Sequence, residues 1–114
     1  AFCPPLPAAK AAAIQRLGFG LIVKVVMAVA PRDVFWDDRP DFLGGVAAAG
    51  EARGAFFLFV NAQRTDGTRP AVLVAIASGE AAQALEDDPG LDDDALAALA
   101  LAAAALTLAS PTLP

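Results

Sequence analysis

Few side chains in this 114-residue sequence could take part in catalysis, and Lys24 is the one whose surroundings single it out. The sequence contains no histidine and one cysteine, Cys3, which excludes Ser-His-Asp and Cys-His catalysis, an internal disulfide and a cysteine-cluster zinc site within this chain. Lys24 interrupts an otherwise aliphatic run from Leu21 to Val29. A lysine there could supply a positive charge, a hydrogen-bond donor or, with a lowered pKa, a proton acceptor.

Two interpretations of Lys24 remain open from the residues alone. In an extended strand it shares a face with Ile22 and Val26, because alternate residues point to the same side of a sheet. The simpler interpretation is a solvated lysine at a sheet edge, since lysine is seldom buried unpaired. The other is a lysine in a partly buried polar pocket, where a lowered pKa would make it available for proton transfer or for ordering a water.

The composition narrows the classes of function. The hydrophobic fraction of 57% exceeds the ~45–50% usual for soluble domains, so apolar surface must be covered by an alanine-rich core, a partner chain or the rest of a larger protein. The longest apolar run, Ala95 to Leu106, is 12 residues and is too short for the ~20 that cross a bilayer. A net charge of −5 disfavours direct binding of nucleic acid. We therefore expect neither a membrane span nor a nucleic-acid partner.

The order of the predicted elements indicates an α+β fold. We expect a mostly antiparallel sheet of about four strands, flanked by an N-terminal helix and two C-terminal helices. The predicted strands are Leu21–Val29, Phe42–Val46, Ala55–Val60 and Val72–Ala77, of which the last two form a hairpin. The predicted helices are Pro7–Leu17, Glu80–Glu86 and a last helix that follows the cap candidate Asp92.

The remaining conspicuous residues receive structural interpretations. Phe35 and Trp36 are predicted to anchor the core at a strand end. The aspartates at 87, 88 and 92–94 lack the ligand spacing of a calcium loop, so we assign them to helix capping and solvation and predict no metal site. The arginines in loops are predicted to be solvated charges; these are Arg53, Arg64 and Arg69.

Five blocks of the sequence, in this order, resemble the flavin-containing amine oxidase family, and most of all the lysine-specific histone demethylases. The blocks are PPLPAAKAAAIQRLGFGLIVKVVMAV (4–29), VFWDD (34–38), RGAFFLFVN (53–61), LVAIASGEAAQALE (73–86) and LDDDAL (91–96). They extend over nearly the whole chain. The glycine-lysine block with the Phe-Trp pair is the specific part, whereas the alanine-rich ends carry little information.

The resemblance implies a role for Lys24. In that family the lysine of the GFGxxxK block lies beside the FAD and faces the reactive ring nitrogen through a water. The implied chemistry is removal of a hydride from the carbon next to an amine nitrogen, followed by hydrolysis of the imine, with the cofactor carrying the redox step. Ile22 corresponds to an apolar residue that lines the substrate pocket, and Val60 occupies a further substrate-binding position.

Two positions depart from the family pattern. Val23 replaces an asparagine that usually precedes the lysine, and Val60 replaces a tryptophan that precedes the asparagine of the FLFxN block. Both departures lead us to expect an altered substrate pocket.

The flavin-binding portion of such an enzyme is not recognisable in this sequence. A dinucleotide site needs a strand, a GxGxxG turn and a helix in that order, and Gly18 to Gly20 supply two glycines between a predicted helix and a strand. We therefore predict that residues 1–114 are part of a substrate-binding domain without its Rossmann portion, and that this chain alone does not hold FAD tightly.

The resulting functional hypothesis is a fragment of a histone demethylase-like amine oxidase that oxidises N-methyl lysine. The resemblance implies a methyl-lysine peptide or another amine as substrate, the flavin-binding domain of the same parent chain as partner, and a nuclear location. The alternatives are a fragment of a polyamine oxidase and a non-catalytic protein-interaction module.

Overall fold

The computed structural model describes residues 2–46, 50 and 53–109. These residues form three α-helices and a four-stranded antiparallel sheet, which confirms the predicted α+β class. The helices are α1 (Ala8–Arg16), α2 (Gly79–Asp87) and α3 (Asp93–Leu108). The strands are β1 (Ile22–Val29), β2 (Phe42–Gly44), β3 (Leu58–Gln63) and β4 (Ala71–Ser78), and they lie side by side in the order β1-β4-β3-β2.

The bounds of β3 differ most from the sequence prediction. The strand was expected from Ala55, but it begins at Leu58 and continues to Gln63. Gly54 and Phe56 both have positive φ angles, which extended chain does not adopt, so a turn occupies the beginning of the apolar run. The hydrophobic pattern alone did not distinguish this turn from a strand.

The residues of β1 alternate between two sides of the sheet. Val23, Val25 and Met27 are buried, whereas Ile22, Lys24, Val26 and Ala28 are exposed. An aliphatic composition therefore does not bury this strand on both sides, because every second residue from Ile22 to Ala28 is exposed. Helices α2 and α3 cover the side of Val23, which we call the packed face. We call the opposite side the open face; it carries Ile22, Lys24, Val26, Ala28, Phe42, Gly44, Leu58, Val60, Val72, Val74, Ile76 and Ser78.

Small side chains allow the helices to lie close to the packed face. In β4 the alternate residues Ala71, Ala75 and Ala77 are fully buried together with Leu73. Alanine also supplies buried positions on both C-terminal helices, among them Ala82. Alanine thus accounts for much of the high hydrophobic fraction. Each alanine raises the apolar count but buries little area.

Helix α3 begins at a capped N-terminus and runs across the packed face. The Asp92 carboxylate accepts a hydrogen bond of 2.8 Å from the Ala95 backbone N–H, as the capping prediction requires. Ala100, Ala104 and Leu108 recur at helical spacing and are buried. Within residues 2–46, 50 and 53–109, no helix is long and apolar enough to span a bilayer.

The loop between β3 and β4 is held by one aspartate. Asp66 accepts hydrogen bonds from the backbone N–H groups of Thr68 and Arg69 at 2.9 and 2.8 Å, and from the Thr68 hydroxyl and the Arg69 guanidinium. The Thr68 hydroxyl is the largest of the influences that hold the pKa of Asp66 well below its usual range. Arg69, predicted as a solvated charge, therefore also closes the loop.

At Gly54 the turn before β3 lies in close contact with the backbone at the end of β4. The φ of Gly54 is +88°, and a Cβ at this position would lie 2.6 Å from the Ser78 carbonyl oxygen. Gly67 has the same φ of +88°, but a Cβ there would meet no atom within 4 Å. We expect Gly67→Ala to lower the free energy of unfolding by about 1–2 kcal/mol through backbone strain alone. Gly54→Ala should cost clearly more, because the clash adds to the same strain.

Denaturant unfolding of the two variants, followed by the fluorescence of the single tryptophan, Trp36, measures this difference. Equal losses in Gly54→Ala and Gly67→Ala would contradict the close contact between the turn and β4.

Candidate functional site

Lys24 lies on the open face of β1, between two exposed aliphatic side chains. Ile22 is 58% exposed and Val26 is 67% exposed. Lys24 itself is exposed, and no ion pair involves it within the described parts of the chain. In this chain the lysine therefore adopts the simpler of the two predicted arrangements, with its ammonium group in solvent.

The antiparallel register brings the three predicted site residues to the same side of the sheet. Lys24 is in register with Ile76 of β4, which is in register with Leu58 of β3. Val60 lies two residues beyond Leu58 and therefore points to the same face. Strands β1 and β3 are separated only by β4, so their backbones lie about 10 Å apart at the usual strand spacing. Ile22, Lys24 and Val60 consequently share one continuous surface.

The two departures from the family pattern have different consequences in the fold. Val23 is only 8% exposed and belongs to the packed face, where an aliphatic side chain suits the helix-covered core. Val60 is half-buried on the open face. The Val23 side chain points away from Lys24, and the expectation of an altered substrate pocket stays a prediction. Of these two replacements, only the one at Val60 alters the open face.

The open face combines a single cation with a broad apolar surface. Phe42, on the edge strand β2, is 66% exposed. Ile22 and Val26, on either side of Lys24, are exposed to similar extents. Contiguous exposed apolar side chains of this kind mark a surface that another structure covers. Once covered, the surface would have a low dielectric constant and would strengthen the electrostatic influence of the one ammonium group. It could accept a flat, largely apolar group and desolvate a polar one next to Lys24.

The described residues fit the ring end of a flavin better than its phosphate end. The open face offers a largely apolar surface with one cationic donor, Lys24, which can hold a water or a ring atom. Gly18 and Gly20 lie between α1 and β1, the reverse of the order that a pyrophosphate turn requires. A Cβ on either glycine would meet no atom within 4 Å, so neither is required for a close approach of the backbone. Residues 2–46, 50 and 53–109 thus offer an apolar surface that would suit the ring of a flavin, and no phosphate cradle.

A concave surface lies on the other side of the sheet and carries no ionisable side chain among its lining residues. This groove of about 430 Å³ lies between the turn that precedes β3 and the two C-terminal helices; its lining includes Phe57, Leu85, Leu99 and Leu106. Its composition allows packing but no chemistry. In the same described parts of the chain, no three side chains of the types Asp, Glu, Cys or His are grouped to hold a metal ion.

The loop that leads into β2 is fixed by two residues that are not among the predicted site residues. Asn61 is 6% exposed, and its side-chain amide donates to the Asp38 carbonyl at 2.6 Å. Arg64 donates to the same carbonyl at 2.7 Å. Arg64 was predicted to be a solvated charge, but it contacts the loop through specific hydrogen bonds. Trp36, which begins this loop, is 5% exposed and makes an edge contact with Phe35, as predicted for a core anchor.

Comparison with known proteins finds a matching family model and similar proteins. The model of the family described as "Flavin containing amine oxidoreductase" matches residues 1–109. The chain is 49% identical over 85 residues to "Lysine-specific histone demethylase 1 homolog 2" of Arabidopsis thaliana, covering 75% of this chain and 11% of that protein. It is 44% identical over 81 residues to "Lysine-specific histone demethylase 1 homolog 3" of the same plant, covering 71% of this chain and 5% of that protein.

A third relative, "Lysine-specific histone demethylase 1 homolog 2" of Oryza sativa subsp. japonica, is 47% identical over 91 residues, which are 79% of this chain and 11% of that protein. The chain belongs to the flavin-containing amine oxidoreductase family. It spans between 5% and 11% of the length of these three relatives. The predicted family is confirmed, and the activity of a whole relative belongs to a much longer protein than these 114 residues.

The two faces of β1 give opposite expectations for stability. Lys24→Met should change the free energy of unfolding by no more than about 0.5 kcal/mol, because the exposed ammonium group has no ion pair in the described structure to lose. Val25→Lys should cost about 3 kcal/mol or more, because Val25 is 8% exposed and a charge there would enter the packed face. Denaturant unfolding of both variants measures the difference. A Lys24→Met variant as unstable as Val25→Lys would contradict the assignment of Lys24 to the open face.

Proposed function

We propose that this chain is part of the substrate-binding domain of an FAD-dependent amine oxidase that removes methyl groups from lysine side chains of histones. The observation that carries this proposal is the common placement of Ile22, Lys24 and Val60 on one uncovered apolar face. In the parent protein, the flavin-binding portion of the same polypeptide covers this face. The open face and the flavin then enclose the substrate amine between them.

In this proposal FAD, when bound, supplies the acceptor for a hydride from the carbon next to the amine nitrogen. Lys24 holds a water at the ring edge through its ammonium group, which is compact and carries three donors on a flexible stem. The water is also the reactant that an imine product needs for hydrolysis. Contacts to the phosphates and the ribose come from other parts of the parent, since the described residues have no cradle for them.

The apolar residues of the open face control the protonation of the substrate. A hydride can leave the carbon readily only when the neighbouring nitrogen has a free electron pair, so the amine must lose its proton first. Ile22 and Val60 desolvate the amine, which lowers its pKa because burial disfavours the charged form. The positive charge of Lys24 acts in the same direction, since a like charge also disfavours an ammonium group. Together these residues favour the neutral amine.

The proposed substrate class is a peptide that contains methylated lysine, as in a histone tail. It is supported by the names of the relatives, each a lysine-specific histone demethylase homologue. The net charge of −5 suits a basic peptide better than an acidic one. A histone substrate also implies a nuclear location for the parent protein.

The test uses the full-length protein with FAD bound. In Lys24→Met, we expect the rate of flavin reduction by a dimethyl-lysine histone peptide, or the rate of reoxidation by oxygen, to fall at least tenfold, because the ordered water and the positive charge are lost. Stopped-flow absorbance of the flavin measures both rates. Lys10→Met is the matched control, because Lys10 is the other lysine of this chain and is exposed on α1.

Unchanged rates in Lys24→Met would contradict the role of Lys24. The choice of substrate is tested separately with the unaltered protein. Reduction by spermine or another polyamine, with none by methylated peptides, would favour the polyamine oxidase alternative. A full-length protein that binds no flavin would favour the non-catalytic interaction module.

A further inference from the structure

The segment Asp38–Asp41, which leads directly into β2, has its backbone carbonyls bound by β3 and the residues that follow it. The side-chain amide of Asn61 donates to the Asp38 carbonyl at 2.6 Å and more weakly to the Pro40 carbonyl at 3.4 Å. The backbone N–H of Asn61 donates to the Asp41 carbonyl at 2.8 Å. One residue of β3 therefore contacts three carbonyls of this short segment.

Arg64 binds the same segment from the end of β3. Its Nε donates to the Asp38 carbonyl at 2.7 Å, and its Nη2 donates to the Arg39 carbonyl at 2.6 Å and to the Asp41 carboxylate at 2.5 Å. The Arg39 side chain instead pairs with Asp37, and its hydrogen bonds lower the pKa of Asp37 to about 2. Asn61 and Arg64 together thus bind all four carbonyls of residues 38–41.

Asn61 is a buried polar residue, and its hydrogen bonds to residues 38–41 explain why an amide occupies this position. Asn61 is 6% exposed, and burying a polar group costs free energy unless hydrogen bonds compensate. Within the described residues the Oδ1 atom has no partner, so the donor atom Nδ2 makes the side-chain hydrogen bonds. An apolar side chain would fill the same place on the packed face without that unsatisfied acceptor. The amide is therefore explained by the loop that it holds.

The bound segment determines where the short edge strand β2 lies. This strand has three residues, and Phe42, its first residue, is in register with Val60. The residue before Phe42 is Asp41, which is held at both its carbonyl and its carboxylate. If residues 38–41 were no longer held by these hydrogen bonds, a three-residue pairing alone would keep Phe42 beside Val60. Such short pairings are weak on their own.

We infer that Asn61 and Arg64 are positioning residues that set the β2 edge of the open face, and with it the wall of the amine site next to Val60. The inference rests on the proposed function of that face. Asn61 lies on the packed face and the Arg64 guanidinium bonds to residues 38–41, so both act through that segment and β2. They determine how tightly the substrate is held, whereas Lys24, on the opposite edge strand, serves the chemical step.

The experiment compares Arg64→Met and Asn61→Leu in the full-length, FAD-bound protein. Arg64→Met is the principal variant, because this exposed side chain can be replaced with little risk to folding, and Asn61→Leu removes the amide at similar volume. We expect each to raise KM for a dimethyl-lysine histone peptide at least fivefold and to change kcat by less than twofold. Hydrogen exchange of the amides of residues 42–44 should accelerate at the same time. Arg64→Lys should restore part of the lost affinity by keeping a donor near Asp41.

Arg69→Met is the matched control, since Arg69 is an arginine of the same hairpin that bonds to Asp66 instead of residues 38–41. It should leave KM unchanged. The inference is overturned if Arg64→Met leaves KM unchanged, if KM rises equally in Arg69→Met, or if flavin content and kcat fall together with affinity, which indicates a general structural role. If no amine reduces the flavin of the unaltered protein, the proposed function and this inference are both overturned. If amines reduce it and the variants fail as described, the inference alone is overturned, so the two failures are distinguishable.

Discussion

The alternation of side chains along β1 is the constraint on which the rest of the structure depends. Because successive residues of a strand point to opposite sides, Val23 and Val25 enter the helix-covered core while Lys24 between them points to the open face. A shift of register by one residue would place a lysine in the core and aliphatic side chains in solvent. The pairing of β1 with β4, from Ile22 with Ser78 to Val29 with Ala71, fixes this register.

The two faces have different compositions because they have different neighbours. The packed face is lined by alanines of β4 and α3, and this allows the helices to lie close to the sheet. The open face has larger side chains, such as Ile22 and Phe42, that nothing in the described structure covers. Its apolar character is costly for an isolated chain and supports the proposal that it closes over a flat cofactor and an amine. Membership of the flavin-containing amine oxidoreductase family agrees with that proposal.

Much of the fold could be predicted because its signals are local. Proline and glycine mark the ends of elements, and the Asp92 cap and the aliphatic run through Lys24 gave the right element types. The turn through Gly54 and Phe56 was missed because the apolar run around it resembles a strand, and positive φ angles leave little trace in composition. Ile22, Lys24 and Val60 were named through the family resemblance, and only the register revealed that they share a face while Val23 does not. The contacts of Asn61 and Arg64 join residues 20 or more positions apart, and no spacing rule predicts them.

The most direct test of the account is whether the flavin covers Lys24 in the full-length protein. An amine-reactive reagent applied to the FAD-bound and the flavin-free protein, with mass spectrometry of the peptides that contain Lys24 and Lys10, compares the modification rates of the two lysines. We expect bound FAD to slow the modification of Lys24 several-fold and to leave Lys10 unaffected. Equal modification of Lys24 with and without FAD would contradict it, because the open face would then lie away from the cofactor.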